Sequence, residues 1–325
     1  MATPVFVVRD LKVSFPTEDG PVQAVRGVDL TVNEGELVGV VGESGSGKSV
    51  SFLAVMGLLP ETAQISGSAT VRGQELIGVD KKVQRRVRGQ RLAIIFQDPL
   101  SALNPVHRVG DQIAEMIQAH QDVNDRQAKT RAIELLDLVG IPQPTTRARQ
   151  YPHEFSGGMR QRAMIAMAVA NDPEVLIADE PTTALDVTVQ AQILEVIQRV
   201  QRELGTAIVF ITHDLGVIAR VADRVQVMYA GRVVERGPVH ELFEHPTHPY
   251  TQGLLQSLPG LGRERLTPIP GAPPNMLRPP SGCAFRPRCP YAEEQCAGDL
   301  PELRRVGELE TACVRVDELV SGGVL

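Results

Sequence analysis

The stretch Gly42-Glu-Ser-Gly-Ser-Gly-Lys48-Ser49 decides the fold of this 325-residue chain. It fits the pattern G-x-x-x-x-G-K-[ST] of a phosphate-binding loop, or P-loop. The flanking residues also fit, because Glu36–Val41 has the apolar character of a short strand and Lys48–Leu59 that of a helix. A strand, a glycine-rich turn and a helix in this order predict an α/β fold that binds phosphate groups.

The residue types within the loop explain this prediction. Glycine lets backbone N–H groups approach phosphate oxygens without a clash from a Cβ atom, and the following helix start adds a positive dipole. We expect Lys48 to contact the β- and γ-phosphates and the Ser49 hydroxyl to bind Mg²⁺. The small residues expected to form the cradle are Gly42, Ser44, Gly45 and Gly47. Taken alone, the motif could also be a glycine-rich turn that binds nothing.

Segments that resemble strands and helices alternate along about the first 240 residues, which predicts a largely parallel sheet. The other segments predicted from their patterns are strands at Val5–Ser14, Arg91–Phe96, Val175–Ala178 and Ala207–Ile211, helical structure within residues 111–138, and a hairpin at Arg224–Gly237. The chain therefore has the pattern of an α/β protein.

Two carboxylates end the apolar segment Val175-Leu-Ile-Ala-Asp179-Glu180. A buried strand that turns acidic at its end needs a reason, because an unpaired buried charge is costly. Beside a P-loop, Asp179 suits the Mg²⁺ side of a nucleotide site, and Glu180 could polarise the attacking water. The alternative is a pair of carboxylates solvated at a strand end.

A second turn with the geometry of an anion site is Phe155-Ser156-Gly157-Gly158-Met159-Arg160, which precedes the apolar residues Ala163–Ala170. Ser156, Gly157 and Gly158 lie where backbone N–H groups at a helix start would bind phosphate oxygens. The alternative is an ordinary N-cap supplied by Ser156. Two such helix starts in one chain suggest two faces that each contact a nucleotide.

Composition and charge exclude several classes of function. The formal net charge is −6, Trp is absent and aromatic residues make up 4%, so we expect no nucleic-acid partner. The longest strongly apolar stretch, Ala163–Ala170, is far shorter than the roughly 20 residues of a membrane span. The first residues lack the basic and apolar regions of a secretory signal. These features predict a cytosolic protein, or one held at a membrane by a partner.

Together the motifs resemble those of ABC transporter ATP-binding subunits, over residues 5 to about 255. The resemblance implies ATP hydrolysis with Mg²⁺ and a P-loop domain with a RecA-like core, an antiparallel β subdomain and a helical subdomain at about residues 98–170. The residues that match family motifs are Phe15 for adenine stacking, Gln97 of the Q-loop for Mg²⁺ and catalysis, Ser156, Gly157 and Gly158 of the signature, Asp179 of Walker B, Glu180 as the catalytic glutamate, Asp186 of the D-loop and His213 as the switch histidine. Met159 departs from the pattern, since glutamine is common there.

Several of these residues have a plainer interpretation. Phe15 could be a core or surface aromatic, and Gln97 could be a cap or solvated. Asp186 could cap a helix that begins near Val187, and His213 could be an ordinary strand-end histidine. The order of the motifs favours the family interpretation. In that family two subunits pair head to tail, with each ATP between the P-loop of one subunit and the signature of the other.

The C-terminal part narrows the resemblance to importers. The segment Glu241–Thr251 and the cysteine-containing tail resemble the oligopeptide/dipeptide importer ATPases, of the D type. The resemblance implies peptide uptake through two membrane permease subunits, an extracytoplasmic solute-binding protein, a second related ATPase subunit in a heterodimer, and a peripheral location on the cytoplasmic face of the bacterial cell membrane. The alternatives are a nickel importer, which shares the tail, and a soluble ABC ATPase. His245 and His248 are better explained by local packing than as nickel ligands.

Proline density marks a change of organisation near residue 260. We expect a nucleotide-binding domain at 1–258, a proline-rich linker at 259–281 and a small C-terminal module at 282–325. The cysteines of this module are Cys283, Cys289, Cys296 and Cys313. Their spacing lacks the paired C-x₂₋₄-C of zinc sites, and Cys289-Pro290 is similar to the Cys-Pro ending of ferredoxin motifs, so we favour a [4Fe-4S] cluster. Zinc and unliganded thiols are the alternatives.

Overall fold

The structure is a computed structural model that describes residues 3–183, 185–258 and 268–325. The chain forms two compact units, each built from segments that are separate in sequence. The first unit holds the described residues up to Val7, together with Thr31–Leu37 and Thr70–Ile211. The second unit holds Val8–Leu30, Val38–Ala69 and the described residues from Thr212 onward.

The strands of the described residues are numbered in chain order. They are β1 (Pro4–Thr17), β2 (Gly20–Asn33), β3 (Leu37–Val41), β4 (Gln64–Val71), β5 (Gln74–Glu75), β6 (Leu92–Ile95), β7 (Val175–Asp179), β8 (Ala207–Thr212), β9 (Arg224–Tyr229), β10 (Arg232–Pro238), β11 (Arg304–Val306) and β12 (Leu309–Thr311).

The helices are numbered in the same way. They are α1 (Lys48–Val55), α2 (Lys81–Val87), α3 (Pro99–Ala102), α4 (Val109–Gln118), α5 (Asp125–Leu138), α6 (Pro144–Arg147), α7 (Gly157–Ala168), α8 (Val187–Leu204), α9 (Leu215–Val221), α10 (Val239–Glu244), α11 (Pro249–Gln256) and α12 (Val316–Ser321). Short 3₁₀ turns lie at Pro152–Glu154, Arg286–Arg288 and Glu294–Ala297. Within the described residues, none of the helices combines the length and apolar character needed to cross a membrane.

A parallel sheet forms the centre of the first unit. Its strands run in the order β8-β7-β6, with Val175 of β7 opposite Leu92 on one side and Ala207 on the other. The side chains of β7 and β8 are almost entirely buried, which explains why these segments read as continuous apolar runs. The strands predicted at these positions are confirmed.

The helical stretch predicted within residues 111–138 is two helices, α4 and α5. A capping box starts α5: the Asn124 side chain accepts a hydrogen bond from the Gln127 N–H at 2.9 Å, and the Gln127 side chain accepts one from the Asn124 N–H at 3.0 Å. This reciprocal pair satisfies backbone donors that a helix start leaves open. It therefore fixes a second helix start inside the predicted stretch.

The sheet of the second unit contains the strand that precedes the P-loop. That strand, β3, lies parallel to β9 with Val38 opposite Arg224, and the sheet continues through antiparallel partners in the order β9-β10-β12-β11. The β9–β10 hairpin turns at Ala230 and Gly231, whose φ angles of 49° and 76° are those of a type I′ turn. The hairpin predicted from the sequence is confirmed. β1, β2 and β4 belong to this unit over most of their length, in the order β2-β1-β4.

The described part of the C-terminal tail belongs to the same unit as the P-loop. Glu235 of β10 lies opposite Thr311 of β12, and Arg236 donates two hydrogen bonds to the Glu310 carboxylate, at 2.7 Å and 3.2 Å. Residues 268–281 of the predicted linker form no helix or strand, and residues 259–267 lie outside the described residues. The domain boundaries at 258 and 282 stay predictions.

The helix predicted over Lys48–Leu59 ends earlier, at Val55. Gly57 adopts a φ of 63°, and the Leu58 N–H donates a hydrogen bond to the Leu53 oxygen at 2.9 Å. A left-handed glycine of this kind closes a helix by satisfying its last carbonyl groups. The apolar residues beyond it made the helix look longer in the sequence.

A buried carboxyl group joins the sheet of the second unit to the segment that follows it. Glu235 of β10 is fully buried, and its Oε1 accepts hydrogen bonds from both the N–H and the hydroxyl of Thr247. Burial raises the pKa of Glu235 to about 7, although the hydrogen bonds from Thr247 act to lower it. The carboxyl group therefore binds a proton more tightly in the folded state than in the unfolded state.

We predict that the protein loses stability as the pH rises from 4.5 to about 7, because the buried Glu235 carboxyl group must give up its proton. Its contribution is complete below the unfolded pKa and is lost as the pH passes through the raised folded pKa. The free energy of unfolding involved is at most about 3 kcal/mol. Thermal unfolding of the wild type and of Glu235→Gln across this pH range measures the effect, and the decline should be shallower in the variant. Identical pH slopes would contradict the prediction.

Candidate functional site

Two glycines of the P-loop lie too close to neighbouring backbone to carry a side chain. Gly42 has a φ of 150°, and a Cβ atom built on it would lie 2.2 Å from the Met228 carbonyl oxygen. A Cβ atom on Gly47, whose φ is 96°, would lie 2.5 Å from the Ala24 oxygen. The glycine pattern therefore reflects packing within the second unit as well as access for phosphate.

Lys48 begins α1 and folds its side chain back over the loop. Its Nζ donates hydrogen bonds to the Gly42 oxygen at 2.7 Å and to the Glu43 oxygen at 3.0 Å. Ser49 follows in the first turn of α1 and is half-buried, while the loop tip Ser44-Gly45 is exposed. The ammonium group, the hydroxyl and the exposed tip lie on one short loop, which is the arrangement that binds a triphosphate in P-loop proteins.

In the first unit, two residues predicted to be catalytic are hydrogen-bonded to each other. Gln97 Nε2 donates to Glu180 Oε2 at 3.2 Å, and the Thr183 hydroxyl donates to the same oxygen at 2.8 Å. Glu180 directly follows β7 and has a φ of 47°, a conformation that costs a non-glycine residue roughly 1 to 3 kcal/mol. Such strain persists only where the surrounding contacts enforce it. Here they hold the carboxylate beside the Gln97 amide.

The predicted signature residues lie at the start of α7 and are accessible. Ser156 and Gly157 are exposed, and a Cβ atom built on Gly157 would meet no atom within 4 Å. The Ser156 hydroxyl accepts a hydrogen bond from the Met159 N–H at 3.3 Å, so it also acts as the N-cap of α7. Gln161 donates to the Pro181 oxygen at 2.7 Å and so joins α7 to the loop after β7.

The start of α8 carries the predicted D-loop residue. Asp186 is exposed and caps this helix, because its carboxylate accepts a hydrogen bond from the Val189 N–H at 2.9 Å. Gly158 is half-buried, and a Cβ atom on it would lie 2.9 Å from Val189 Cγ1. Val187 is 81% exposed, which is unusual for a large apolar side chain. Ala184 lies outside the described residues.

The remaining predicted residues of the nucleotide site lie at strand ends or within a strand. Asp179 is the last residue of β7 and is half-buried, and His213 is exposed directly after β8. Phe15 is half-buried within β1. Their roles in binding ATP and Mg²⁺ stay predictions.

All four cysteines line one small cavity of about 20 Å³ in the second unit. All are described residues, and all are free thiols. Among the described residues, three acidic or ligating side chains reach within 4.8 Å of one another only at His240, Glu241 and Glu308, an ordinary surface group. No three of the four cysteine sulfurs therefore lie within that distance of one another.

His248 provides a further test of what the cysteine cavity could hold. It lines the cavity and is buried, and its Nδ1 accepts a hydrogen bond from the Tyr250 N–H at 3.1 Å. Burial lowers the pKa of His248 to about 3, so the ring is neutral and Nε2 carries the proton. This Nε2–H is buried with no partner among the described residues. An acceptor placed against Nε2, such as a thiolate or sulfide, would satisfy this donor.

One set of contacts at the P-loop has no local signal in the sequence that identifies its partners. Glu43, inside the loop, is ion-paired with Arg288 of the tail, and the Glu43 N–H donates to Tyr250 Oη at 2.9 Å. The partners lie 245 and 207 residues apart in the chain. The only signal available was an acidic residue within a loop that should bind an anion.

Two family models match this chain. The ABC transporter model matches residues 25–183, which include the P-loop, Gln97, the signature and Glu180. The model for the C-terminal region of oligopeptide/dipeptide transporters matches residues 234–296, which include three of the four cysteines. The resemblance inferred from the motifs is confirmed by both models.

Curated relatives agree with these matches. An oligopeptide transport ATP-binding protein of Mycobacterium tuberculosis is 54% identical over 98% of this chain and 53% of its own length. A putative peptide import ATP-binding protein of Brucella ovis is 48% identical over 98% of this chain and 99% of its own length. The chain thus spans about half the length of the mycobacterial relative and nearly all of the second. It belongs to the family of ABC transporter ATP-binding proteins, in the oligopeptide/dipeptide branch.

Solved structures share the fold. The dimeric cassette MJ0796, in a post-hydrolysis state bound to ADP and Pi, is 24% identical with a TM-score of 0.64, over 72% of this chain and 98% of that one. CbiO1 from Clostridium perfringens, part of an ABC transporter complex, is 27% identical with a TM-score of 0.63, over 75% of this chain and 92% of that one. The predicted ABC cassette fold is confirmed, while the C-terminal module as a separate body stays a prediction.

Proposed function

We propose that this chain is the ATP-hydrolysing subunit of an importer that takes up oligopeptides or dipeptides through separate membrane permease subunits. The observation that carries the hydrolytic role is the strained Glu180, whose carboxylate is held by Gln97 and Thr183. A carboxylate fixed in this way is suited to accept the proton of an attacking water. The names of the relatives and the match to the C-terminal region of oligopeptide/dipeptide transporters support a peptide as solute.

Each predicted residue has a part in the proposed reaction. The loop backbone and Lys48 bind the β- and γ-phosphates of ATP, and Phe15 stacks on the adenine. By their family motifs, Ser49, Asp179 and Gln97 each offer an oxygen ligand of the kind that Mg²⁺ prefers. A bound Mg²⁺ would neutralise the negative charge that develops on the phosphates.

Glu180 then acts as general base toward the water that attacks the γ-phosphate, because its carboxylate can accept a proton as the new P–O bond forms. Gln97 orients that water through its amide. By the family motif, His213 acts on the same ATP. These are functional assignments drawn from the family and from the local contacts of each residue.

The signature residues serve a second nucleotide in this proposal. Ser156, Gly157 and Gly158 would bind the ATP held by a partner ATPase subunit, since backbone N–H groups at a helix start favour anions. Their exposure, and that of Val187 beside Asp186, supports a face that another subunit covers. The dimeric form of the cassette MJ0796 supports the pairing of two such subunits.

The remaining partners follow from the family. We propose a heterodimer with a second related ATPase, two permease subunits, and an extracytoplasmic solute-binding protein that acts through the permease. The chain would lie on the cytoplasmic face of the bacterial cell membrane as a peripheral subunit, with no nucleic-acid partner. A nickel importer is the second candidate, because nickel and peptide importers share the tail.

We predict that Glu180→Gln keeps MgATP binding and slows hydrolysis by the assembled complex at least about a hundredfold, because it removes the general base. Lys48→Ala should lose binding as well as hydrolysis, because it removes a charged phosphate ligand. Phosphate release and nucleotide binding measure the two effects, with the exposed Glu195→Gln of α8 as control. Hydrolysis at the wild-type rate by Glu180→Gln would refute this assignment of the base.

A growth assay distinguishes peptides from nickel as the transported solute. A strain that lacks this subunit should fail to grow on peptides as its only source of a required amino acid, and should grow normally when nickel is limiting. Expression of the wild-type chain should restore growth, whereas Glu180→Gln should not. The opposite pattern, with a defect only under nickel limitation, would overturn the peptide assignment.

For the cysteine cavity we propose a [4Fe-4S] cluster held by Cys283, Cys289, Cys296 and Cys313. The cavity that all four thiols line and the unpaired Nε2–H of His248, which also lines it, support this proposal. When bound, the cluster would cross-link the tail, which is too short to bury a large core of its own. A zinc ion bound by the same cysteines is the alternative.

We predict that protein purified without oxygen is brown and contains about four iron and four sulfide per chain. Replacing Cys296, which is buried, by serine should lower both contents, because serine supplies a harder and less acidic ligand. Metal analysis and visible absorbance measure this, with Ser321→Ala as a control in the same tail. A colourless, iron-free protein would refute the cluster, and one zinc per chain would establish the alternative.

A further inference from the structure

We propose that Arg288 of the C-terminal tail is a positioning residue for the P-loop, because it holds and neutralises the carboxylate of Glu43, the second residue of that loop. The inference rests on the proposed binding of ATP at Gly42–Ser49. It accounts for an unexpected feature of the sequence: a loop that binds an anionic triphosphate carries an acidic side chain of its own.

The contact between Arg288 and Glu43 is a bidentate ion pair. Nη1 donates to Oε2 at 2.6 Å, and Nη2 donates to Oε1 at 2.9 Å. A paired fork of this kind fixes the direction of the carboxylate as well as its charge. The Arg288 side chain is 4% exposed and that of Glu43 27% exposed, so salt and water screen the pair weakly.

Arg288 is itself held by neighbouring groups. Its Nε donates to the Pro270 oxygen at 2.9 Å, and Nη1 also donates to Tyr229 Oη at 3.4 Å. The guanidinium carbon lies over the rings of Tyr229 and Phe285, 5.8 Å and 6.0 Å from their centroids. Arg288 therefore reaches the P-loop as a fixed group and not as a mobile surface side chain.

The backbone of Glu43 contacts other residues of the loop, so the position of Glu43 affects theirs. Its N–H donates to Tyr250 Oη at 2.9 Å, and its carbonyl oxygen accepts hydrogen bonds from Lys48 Nζ at 3.0 Å and from the Ser46 N–H at 3.2 Å. Side chain, N–H and carbonyl oxygen of Glu43 are thus all engaged. A displacement of Glu43 would move an oxygen that holds Lys48, the residue that binds phosphate in the proposed function.

Charge gives a second reason for the pairing. Without Arg288, the Glu43 carboxylate would remain in the P-loop as an uncompensated negative charge and would repel the phosphates of ATP. With Arg288 the pair is neutral. The simpler interpretation is that the ion pair only stabilises the fold. In that case the folded variants would bind MgATP with unchanged affinity, so binding and stability must be measured separately.

The test measures the dissociation constant for MgATP by calorimetry, and thermal unfolding, on the same full-length samples. Arg288→Met keeps a long side chain and removes the charge, and we expect it to weaken binding about tenfold or more. Glu43→Gln loses the charge but keeps an oxygen that can accept a hydrogen bond from Arg288, so it should weaken binding by less than about tenfold. The double variant of Glu43→Gln with Arg288→Met should bind more tightly than Arg288→Met alone, because the repelling charge is gone.

Arg236→Met is the matched control. It breaks the ion pair with Glu310 that joins β10 to the tail strand β12 in the same unit, so it loosens the tail without touching the P-loop. Its dissociation constant should equal that of wild type. Equal weakening in Arg236→Met and Arg288→Met would overturn the proposal, because loosening of the tail would then explain both.

Two further results would overturn it: unchanged affinity in folded Arg288→Met, and no recovery in the double variant. If Arg288→Met does not fold, Glu43→Gln decides, since a loss of tenfold or more there would show that the carboxylate does not oppose nucleotide. A wild-type chain that binds no MgATP would refute the proposed function itself. Equal binding by the wild type and the variants is a different result, and it would refute only the role of Arg288.

Discussion

A loop that binds phosphate through its backbone N–H groups must turn sharply, and here it turns against the backbone of other segments. This close packing constrains which residues the second unit can have around the loop. Gly42 and Gly47 satisfy this constraint because the oxygens of Met228 and Ala24 occupy the space that side chains would need. The neighbouring strands are therefore part of the site, since they define where the loop can run. The Gly231 N–H of the β9–β10 turn also donates to the Ser46 oxygen at 3.0 Å, which ties the hairpin to the loop.

An acidic side chain in a loop that binds phosphate is unfavourable, because it repels the phosphates. Arg288 of the tail offsets this repulsion by pairing with Glu43. Arg288 closes the 3₁₀ turn Arg286–Arg288 and delivers its guanidinium to Glu43. Tyr229, Tyr250 and Phe285 pack around it, with ring centroids 4.6 Å to 5.3 Å apart. Aromatic burial at this point fixes the arginine and also joins the tail to the body of the unit.

Local signals predicted most of the fold and much of the candidate site. The P-loop, the end of β7 and the start of α7 each lie within one short stretch of sequence, where residue type and backbone geometry are directly linked. The end of α1 at Val55 and the new helix start at Asn124 differ from the prediction, because apolar periodicity outweighs the weaker cap signals in the sequence. The pair of Glu43 with Arg288 could not be predicted at all, since its partners meet only after the chain has folded.

The cysteine cavity links the tail to the P-loop, because one of its cysteines is the neighbour of Arg288. Burial raises the pKa of the Cys289 and Cys313 thiols to about 11, so near neutral pH they are protonated unless a metal displaces the protons. In the proposed cluster-bound form, metal binding would contribute free energy to the folding of the tail itself. Arg288 directly precedes Cys289, so the backbone that orients this proposed metal ligand also orients the cation that neutralises Glu43. In the proposed cluster-bound form, one turn of chain would therefore set the geometry of both the cluster and the nucleotide loop.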